Sequence, residues 1–163
     1  MYSLSKAEDI IARALDIPKK RRAALTAEIK YLRRRGFPKL PKNGKGKRTE
    51  FRKDQVFSLT TAISLGQLGI QPKVAIQGAS LVLDAMHRPQ GLPENPFLCI
   101  SKDEIEISSA AIIRQLVEIQ GRATVVSLQG LASNFEKAVA EELSAESVAE
   151  DFEILFNAIL GKR

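Results

Sequence analysis

Residues 30–53 have the sequence KYLRRRGFPKLPKNGKGKRTEFRK and connect two strongly helical patterns through a loop rich in Gly, Pro and cations. Gly36 and Pro38 predict the end of a helix, because Gly accepts the left-handed conformation after the last turn and Pro cannot continue the helix. The Gly- and Pro-rich letters that follow predict a chain reversal between two short extended pieces, Lys39–Lys42 and Lys47–Phe51. We therefore expect a small β-hairpin, called the wing below, whose tip carries Lys42, Lys45, Lys47 and Arg48.

Two helical patterns precede the wing. Ser5 and Glu8 have the spacing of a capping box, and apolar residues at helical spacing then predict a first helix over about 5–15. Asp16-Ile17-Pro18 supplies a turn, and a second apolar stripe predicts a helix over about 18–35. Helix, tight turn and helix is the order of a helix-turn-helix motif.

The second predicted helix begins with four consecutive cations. In a helix-turn-helix, the first residues of the second helix face base edges and phosphates. A run of cations is also typical of a solvated helix face, and cations near a helix C-terminus are favoured by the helix dipole. The DNA contacts predicted outside the wing tip are Lys19, Lys20, Arg21, Arg22, Thr26, Arg33, Arg34 and Arg52.

Composition and charge support two small domains. The chain has 163 residues, 44% of them hydrophobic, and a net charge of +6. Residues 1–90 hold 19 Lys and Arg against 7 acids, whereas residues 91–163 hold 6 against 12. Within 19–53 there are 15 cations and two acids, a density typical of proteins that bind a polyanion. We expect a DNA-binding domain at 1–88 and an acidic domain at 92–163.

Several classes of protein are disfavoured. A membrane surface is the rival polyanion, but there is no long apolar run or signal-type segment, so we expect a cytoplasmic protein, on the nucleoid when bound to DNA. One Cys and one His are too few for a Cys/His zinc site. Cys99 fits a buried apolar position, and His87 fits a cation at a helix C-terminus. We therefore expect no enzyme activity, no metal and no cofactor.

Two more helices are predicted after the wing. Asp54 is expected to cap a third helix that Gly69 ends, and Pro72 to begin a fourth that closes near Met86. The order helix, turn, helix, RRGF, Pro-rich loop, wing, aromatic at 51 and then RKDQVFSLTTAISLGQLGIQPKVAI resembles the MerR-type winged helix-turn-helix over about residues 4–84. The resemblance implies DNA contacts at the start of the second helix and on the wing around Lys45 to Arg48. The long coiled-coil helix and cysteines of its metal-sensing members are missing, as they are in phage-type regulators and excisionases.

In the second half of the sequence, the spacing of apolar residues changes from the helical pattern to one that includes the alternation typical of strands. Phe97–Ser101 and Glu104–Ser108 predict a hairpin, 110–119 a helix and 123–128 a further strand, an order of β-β-α-β. Two helices complete the chain, one over about 131–143 and a last one over about 148–159. We expect an α+β fold, with a mostly helical winged helix-turn-helix followed by a small α/β domain. The apolar stripe of the last helix is either core or a twofold dimer interface: Phe152, Leu155, Phe156 and Ile159.

These patterns together predict a sequence-specific transcriptional regulator that binds double-stranded DNA. We expect repression more than activation, because a repressor needs only to occupy a promoter, and the phage-type resemblance points to prophage-like genes. The alternative is an excisionase-type recombination or architectural factor that bends DNA for an integrase. The acidic half is the expected site of homodimerisation or of a partner protein. An enzyme acting on nucleic acid would need clustered carboxylates or a His/Lys constellation, which the basic stretch lacks.

Overall fold

The computed structural model describes residues 1–40, 49–88, 92–93, 95–101, 105–109 and 124–143 of the chain. These residues form helices and strands in alternation, which confirms the α+β class at that level. The elements are β1 Tyr2–Ser3, α1 Leu4–Ala14, a 3-10 turn Lys19–Arg21, α2 Arg22–Arg34, β2 Glu50–Phe51, α3 Lys53–Gln67, α4 Pro72–Met86, β3 Pro96–Ile100, β4 Ile105–Ser109, β5 Thr124–Ser127 and α5 Leu128–Leu143.

Helices α1, α2 and α3 end in the same way. Each is followed by a residue in the left-handed conformation, Asp16 at φ 50°, Gly36 at φ 78° and Gly69 at φ 81°. The N–H of the next residue then bonds to the carbonyl five residues earlier, at 2.7, 3.0 and 3.1 Å respectively. This is the Schellman arrangement, which satisfies carbonyls that the helix itself leaves free. The helix ends predicted at Gly36 and Gly69 are confirmed, as is the start of α4 at Pro72.

Three predicted helix starts are wrong. The second helix, expected from residue 18, begins at Arg22 after the 3-10 turn. Ser3 caps α1, because its Oγ accepts from the Lys6 N–H at 3.3 Å, and Ser5 lies inside the first turn. The N-cap of α3 is Arg52, two residues before the expected Asp54. The Gln55 Oε1 accepts from the Arg52 N–H at 2.9 Å, so the glutamine side chain returns to the cap and leaves Asp54 in the first turn.

The strand after the wing pairs with the N-terminus of the chain. Tyr2 lies opposite Phe51 and Ser3 opposite Glu50, in an antiparallel pair. Lys39 and Leu40 belong to no strand, and the rest of the predicted hairpin before Thr49 lies outside the described residues, so the hairpin remains a prediction. Tyr2 and Phe51 are both buried, at 3% and 0% exposed, and burial of these two aromatic side chains stabilises the pairing of β1 with β2. The wing-tip residues Lys42, Lys45, Lys47 and Arg48 lie outside the described residues.

The second sheet has the order β4-β3-β5, with β3 antiparallel to both neighbours. Leu98 in β3 faces Ile107 in β4 and Val126 in β5. The predicted hairpin and the later strand are therefore confirmed, and α5 confirms the helix expected before residue 143. The helices predicted over 110–119 and 148–159, with the stripe Phe152, Leu155, Phe156 and Ile159, lie outside the described residues.

Helix α3 occupies the centre of the core and is buried from Asp54 to Ile63. Three buried hydroxyl groups on it donate to carbonyls of the preceding turn, at 2.9 to 3.0 Å, and so remain satisfied. Phe57 of α3 meets Phe135 of α5 edge to face, with ring centroids 5.3 Å apart. Helix α5 also packs on α1, where Arg13 pairs with Glu142 at 3.0 Å.

One cluster of buried side chains therefore includes residues from both predicted domains. The division into 1–88 and 92–163 remains a prediction, but its two parts share apolar surface. None of the helices in the described part of the chain has the length and hydrophobicity needed to cross a membrane.

Candidate nucleic-acid interface

The first cluster of predicted contacts is Lys19, Lys20 and Arg21. These residues form the 3-10 turn before α2, and the Arg21 N–H closes it by donating to the Pro18 carbonyl at 2.8 Å. All three side chains are exposed. None of them forms an ion pair with a described acid, although Arg21 lies close enough to Glu28 for its charge to lower the pKa of that acid.

Arg22 and Thr26, also predicted as DNA contacts, face α1. Arg22 Nη1 donates to Asp9 Oδ1 at 2.9 Å and to the Glu8 carbonyl at 3.3 Å. Thr26 Oγ1 donates to Glu8 Oε2 at 3.1 Å, and lies 3.1 Å from the Arg22 carbonyl. These bonds fix the angle between the two helices, so both side chains have partners within the protein.

Glu28 is directed towards α3. Its Oε1 lies 2.9 Å from the position that a Cβ would take on Gly66, so the glycine provides the room for this carboxylate. Partial burial raises the pKa of Glu28, and the charge of Arg21 opposes the shift. The acid is thus half-buried against α3 and is not part of the exposed face of α2.

Arg33 connects α2 to the residues after the wing. Its Nη2 donates to Thr49 Oγ1 at 2.7 Å, and its guanidinium carbon lies 5.8 Å from the centroid of the Phe51 ring. The Nε of Arg33 is buried and has no hydrogen-bond partner in the described part of the chain. Arg33 therefore connects β2 to α2 through one hydrogen bond and one ring contact.

Close to Arg33, a groove of about 680 Å³ separates the end of α2 from the loop that follows it. We call it the α2 groove. Four of its lining residues are cations and none is an acid: it is lined by Lys30, Arg33, Arg34, Gly36, Pro38, Lys39 and Leu40. Of these cations, sequence reasoning missed Lys30 and Lys39. Lys30 lies one helical turn before Arg34, a spacing that places the two side chains on one face.

Gln55 holds the loop side of the α2 groove in place. Its Nε2 donates to the Lys39 carbonyl at 2.9 Å, while its Oε1 accepts from Arg52 as described above. The side chain is buried, at 4% exposed. Because both ends of this amide are bonded, the loop before the wing is fixed to the first turn of α3.

Arg52, the last predicted contact, is tied to Asp54. Its Nε and Nη2 donate to the two carboxylate oxygens at 3.1 and 2.8 Å, and His87 Nε2 lies 3.1 Å from the same carboxylate. Asp54 is 6% exposed, whereas the Arg52 side chain is 60% exposed. Part of the Arg52 charge is therefore compensated. His87 directly follows α4, as the sequence predicts.

The exposed face of α2 between its two ends carries only small apolar side chains. Ala23, Ala24 and Ala27 are the exposed positions between Arg21 and Lys30. Beyond them, Tyr31 is exposed and has the Arg35 guanidinium carbon 5.2 Å from its ring centroid. The hydrogen-bonding groups of this face are thus concentrated at the two ends of the helix.

Among the described residues, no group of three or more His, Cys, Asp or Glu side chains is placed to hold a metal ion. Cys99 is buried in β3, and burial raises the pKa of its thiol, as does the nearby charge of Glu106. Comparison with family models, curated proteins and solved structures found no match to this chain.

Proposed function

We propose that this protein is a transcriptional regulator that binds double-stranded DNA through α2 and the adjoining wing. The observation that carries the proposal is the set of exposed cations at both ends of α2 that form no ion pair with an acid in the described part of the chain. They are Lys19, Lys20 and Arg21 at one end and Lys30, Arg34 and Lys39 at the other.

The length of α2 supports duplex DNA as the polyanion. Its 13 residues extend over about 20 Å at 1.5 Å per residue. The major groove of B-DNA is about 12 Å wide and admits a helix. A helix of this length that lies in the groove has its two ends near the phosphates that border the groove. Cations at both ends, with alanines between them, suit that placement.

The proposed arrangement is a winged helix-turn-helix similar to the MerR type, with the wing-tip cations adding phosphate contacts. We further propose that the protein represses transcription, that it acts without catalysis, and that two chains pair through residues 92–163. A pair of DNA-binding regions recognises half-sites about 34–36 Å apart, so we expect an operator with inverted half-sites. A prophage-like target follows only from the phage-type resemblance.

Immunoprecipitation of the protein with chromosomal DNA tests this function. Peaks at promoters, together with raised transcription of the adjacent genes after deletion, are the expected result. Absence of enriched DNA, combined with absence of binding to duplex DNA in vitro at 50 mM salt, would contradict it.

The alanine face of α2 favours a second candidate, an architectural factor of the excisionase type. Ala23, Ala24 and Ala27 offer no hydrogen bonds to base edges, and direct readout of sequence relies on such bonds. A protein that binds mainly through phosphates can instead recognise how readily DNA deforms. Enrichment at attachment sites, with strong bending in a circular-permutation assay, would select this candidate over the regulator.

A further inference from the structure

We propose that the α2 groove binds neighbouring phosphate groups of one DNA strand. The inference rests on the proposed function and names one binding site for the DNA backbone. This site is at the C-terminal end of α2, apart from the wing tip and the start of the helix. Its charged walls are Lys30 and Arg34 on the helix and Lys39 on the loop.

The charge of the α2 groove favours an anion. Lys30, Arg34 and Lys39 form no ion pair with a described acid. The negative pole of the α2 dipole acts against anion binding at this end. However, the last carbonyls of the helix already accept from the N–H groups of Arg35, Gly36 and Phe37 at 2.9 to 3.2 Å. These three cations therefore outweigh the partial negative charge of the helix end, because the carbonyls that carry this charge are largely hydrogen-bonded.

The walls of the α2 groove are held in place before any ligand arrives. Arg33 is fixed by Thr49 and Phe51 and supports the helix side. Phe37 is 5% exposed, and the Gln55 amide bonds to the Lys39 carbonyl, which fixes the loop side. A preformed site loses little conformational entropy on binding. Arg33 acts here as a positioning residue, since its Nη2 donates to Thr49 and its Nε is buried.

The spacing of the cations fits a phosphodiester chain. Side chains at i and i+4 on a helix have Cβ atoms about 5–6 Å apart, so Lys30 and Arg34 can each meet one of two successive phosphates. Apart from Arg33, which is held by Thr49 and Phe51, the remaining lining residues, Gly36, Pro38 and Leu40, have no polar side-chain group. The groove can therefore hold the backbone without reading the bases.

Fluorescence anisotropy of a labelled random-sequence duplex, titrated at 50 to 200 mM salt, tests the inference. The variants are Lys30→Gln, Arg34→Gln and Lys39→Gln, with Lys137→Gln as control, since it removes the same charge from an exposed position on α5. Loss of one phosphate contact should lower the salt slope by about 0.9 and the affinity at 100 mM salt by roughly eightfold. The control should keep the wild-type slope. Arg34→Glu should lose more affinity than Arg34→Gln, because it adds repulsion.

The outcomes separate this inference from the proposed function. If the wild type binds duplex DNA and all three groove variants keep its slope and affinity, the groove inference is overturned and DNA binding stands. If the wild type does not bind, both are overturned. An equal loss in Lys137→Gln also overturns the groove, because the effect would then follow net charge alone. Circular dichroism of each variant checks the fold, which we expect to be unchanged because these exposed side chains have no ion-pair partner in the described residues.

Discussion

Replacing Phe135 by alanine tests whether the two parts of the chain unfold as one unit. Phe135 lies on α5 and is fully buried, and its ring packs edge to face on Phe57 of α3 at 5.3 Å. Truncation of a buried phenylalanine to alanine costs about 3–5 kcal/mol. Of this, an aromatic pair accounts for about 0.5–1.5 kcal/mol. Because α3 belongs to the predicted DNA-binding domain and α5 to the acidic one, removal of the Phe135 ring should destabilise both predicted domains.

Urea denaturation followed with two probes measures this effect. The chain has two tyrosines and no tryptophan, and both tyrosines, Tyr2 and Tyr31, lie before residue 89. Tyrosine fluorescence therefore reports on the N-terminal part, whereas far-ultraviolet circular dichroism reports on the whole chain. With an m-value of about 2 kcal/mol/M, a loss of about 4 kcal/mol moves the midpoint by about 2 M. We expect both transitions of Phe135→Ala to move together by that amount.

A fluorescence transition that keeps its wild-type midpoint would refute the shared core. In that case circular dichroism alone would move, and residues 1–88 would be an independently folding domain. The control is Lys137→Ala, an exposed position on the same helix. Its free energy of unfolding should stay within about 0.5 kcal/mol of the wild-type value, as is usual for surface substitutions.

Three further predictions concern the ion pair between α1 and α2, the half-buried acid Glu28 and the dimer. A double-mutant cycle of Arg22→Ala and Asp9→Ala should give a coupling free energy of about 0.5–1 kcal/mol. The value is small because the two side chains are 34% and 43% exposed, so solvent weakens the ion pair. A coupling of zero would show that this pair does not stabilise the contact between α1 and α2. Glu28→Gln should raise thermal stability at pH 7. Burial raises the pKa of Glu28 in the folded protein, so the contribution of this carboxyl to stability is full below pH 4.5 and is lost as the pH rises through the folded-state pKa. A gain in stability of the glutamine variant that persists at pH 4 would contradict this cause. Sedimentation of the intact protein should show a dimer, and a monomer at tens of micromolar on and off DNA would rule out pairing through residues 92–163.

Local signals predicted most of the helix ends. Gly36 and Gly69 carry the left-handed conformation that their position after a helix requires, and Pro72 begins α4 with a fixed φ angle. These features depend on a few neighbouring residues, so the sequence shows them directly. The pairing of Tyr2 with Phe51 does not depend on neighbours. Strands of two residues are too short to show an alternating pattern, and Tyr2 and Phe51 are 49 positions apart in the sequence. The pairing of the two strands therefore becomes visible only in the structure, where both rings are buried.

The candidate site was predicted from charge, and charge alone does not distinguish the sides of a helix. Leu25, Ile29 and Leu32 form the buried stripe of α2. Arg22 lies three residues before Leu25 and Thr26 three before Ile29, so both are next to the stripe and meet α1. Lys30 and Arg34 lie on the far side. The helical phase of each cation relative to the stripe is the signal that separates structural arginines from free ones.

That separation also explains how a DNA interface can form on α2 without disturbing the fold. In the described residues, the arginines that pair with acids are Arg13, Arg22 and Arg52, and each joins or caps helices of the core. Six other cations at or next to the two ends of α2 take part in none of these pairs: Lys19, Lys20, Arg21, Lys30, Arg34 and Lys39. A phosphate backbone that binds there displaces only counterions and does not first break a protein ion pair. The salt dependence of binding should therefore follow the number of free α2 cations, and it should be insensitive to loss of the structural arginines as long as the fold persists.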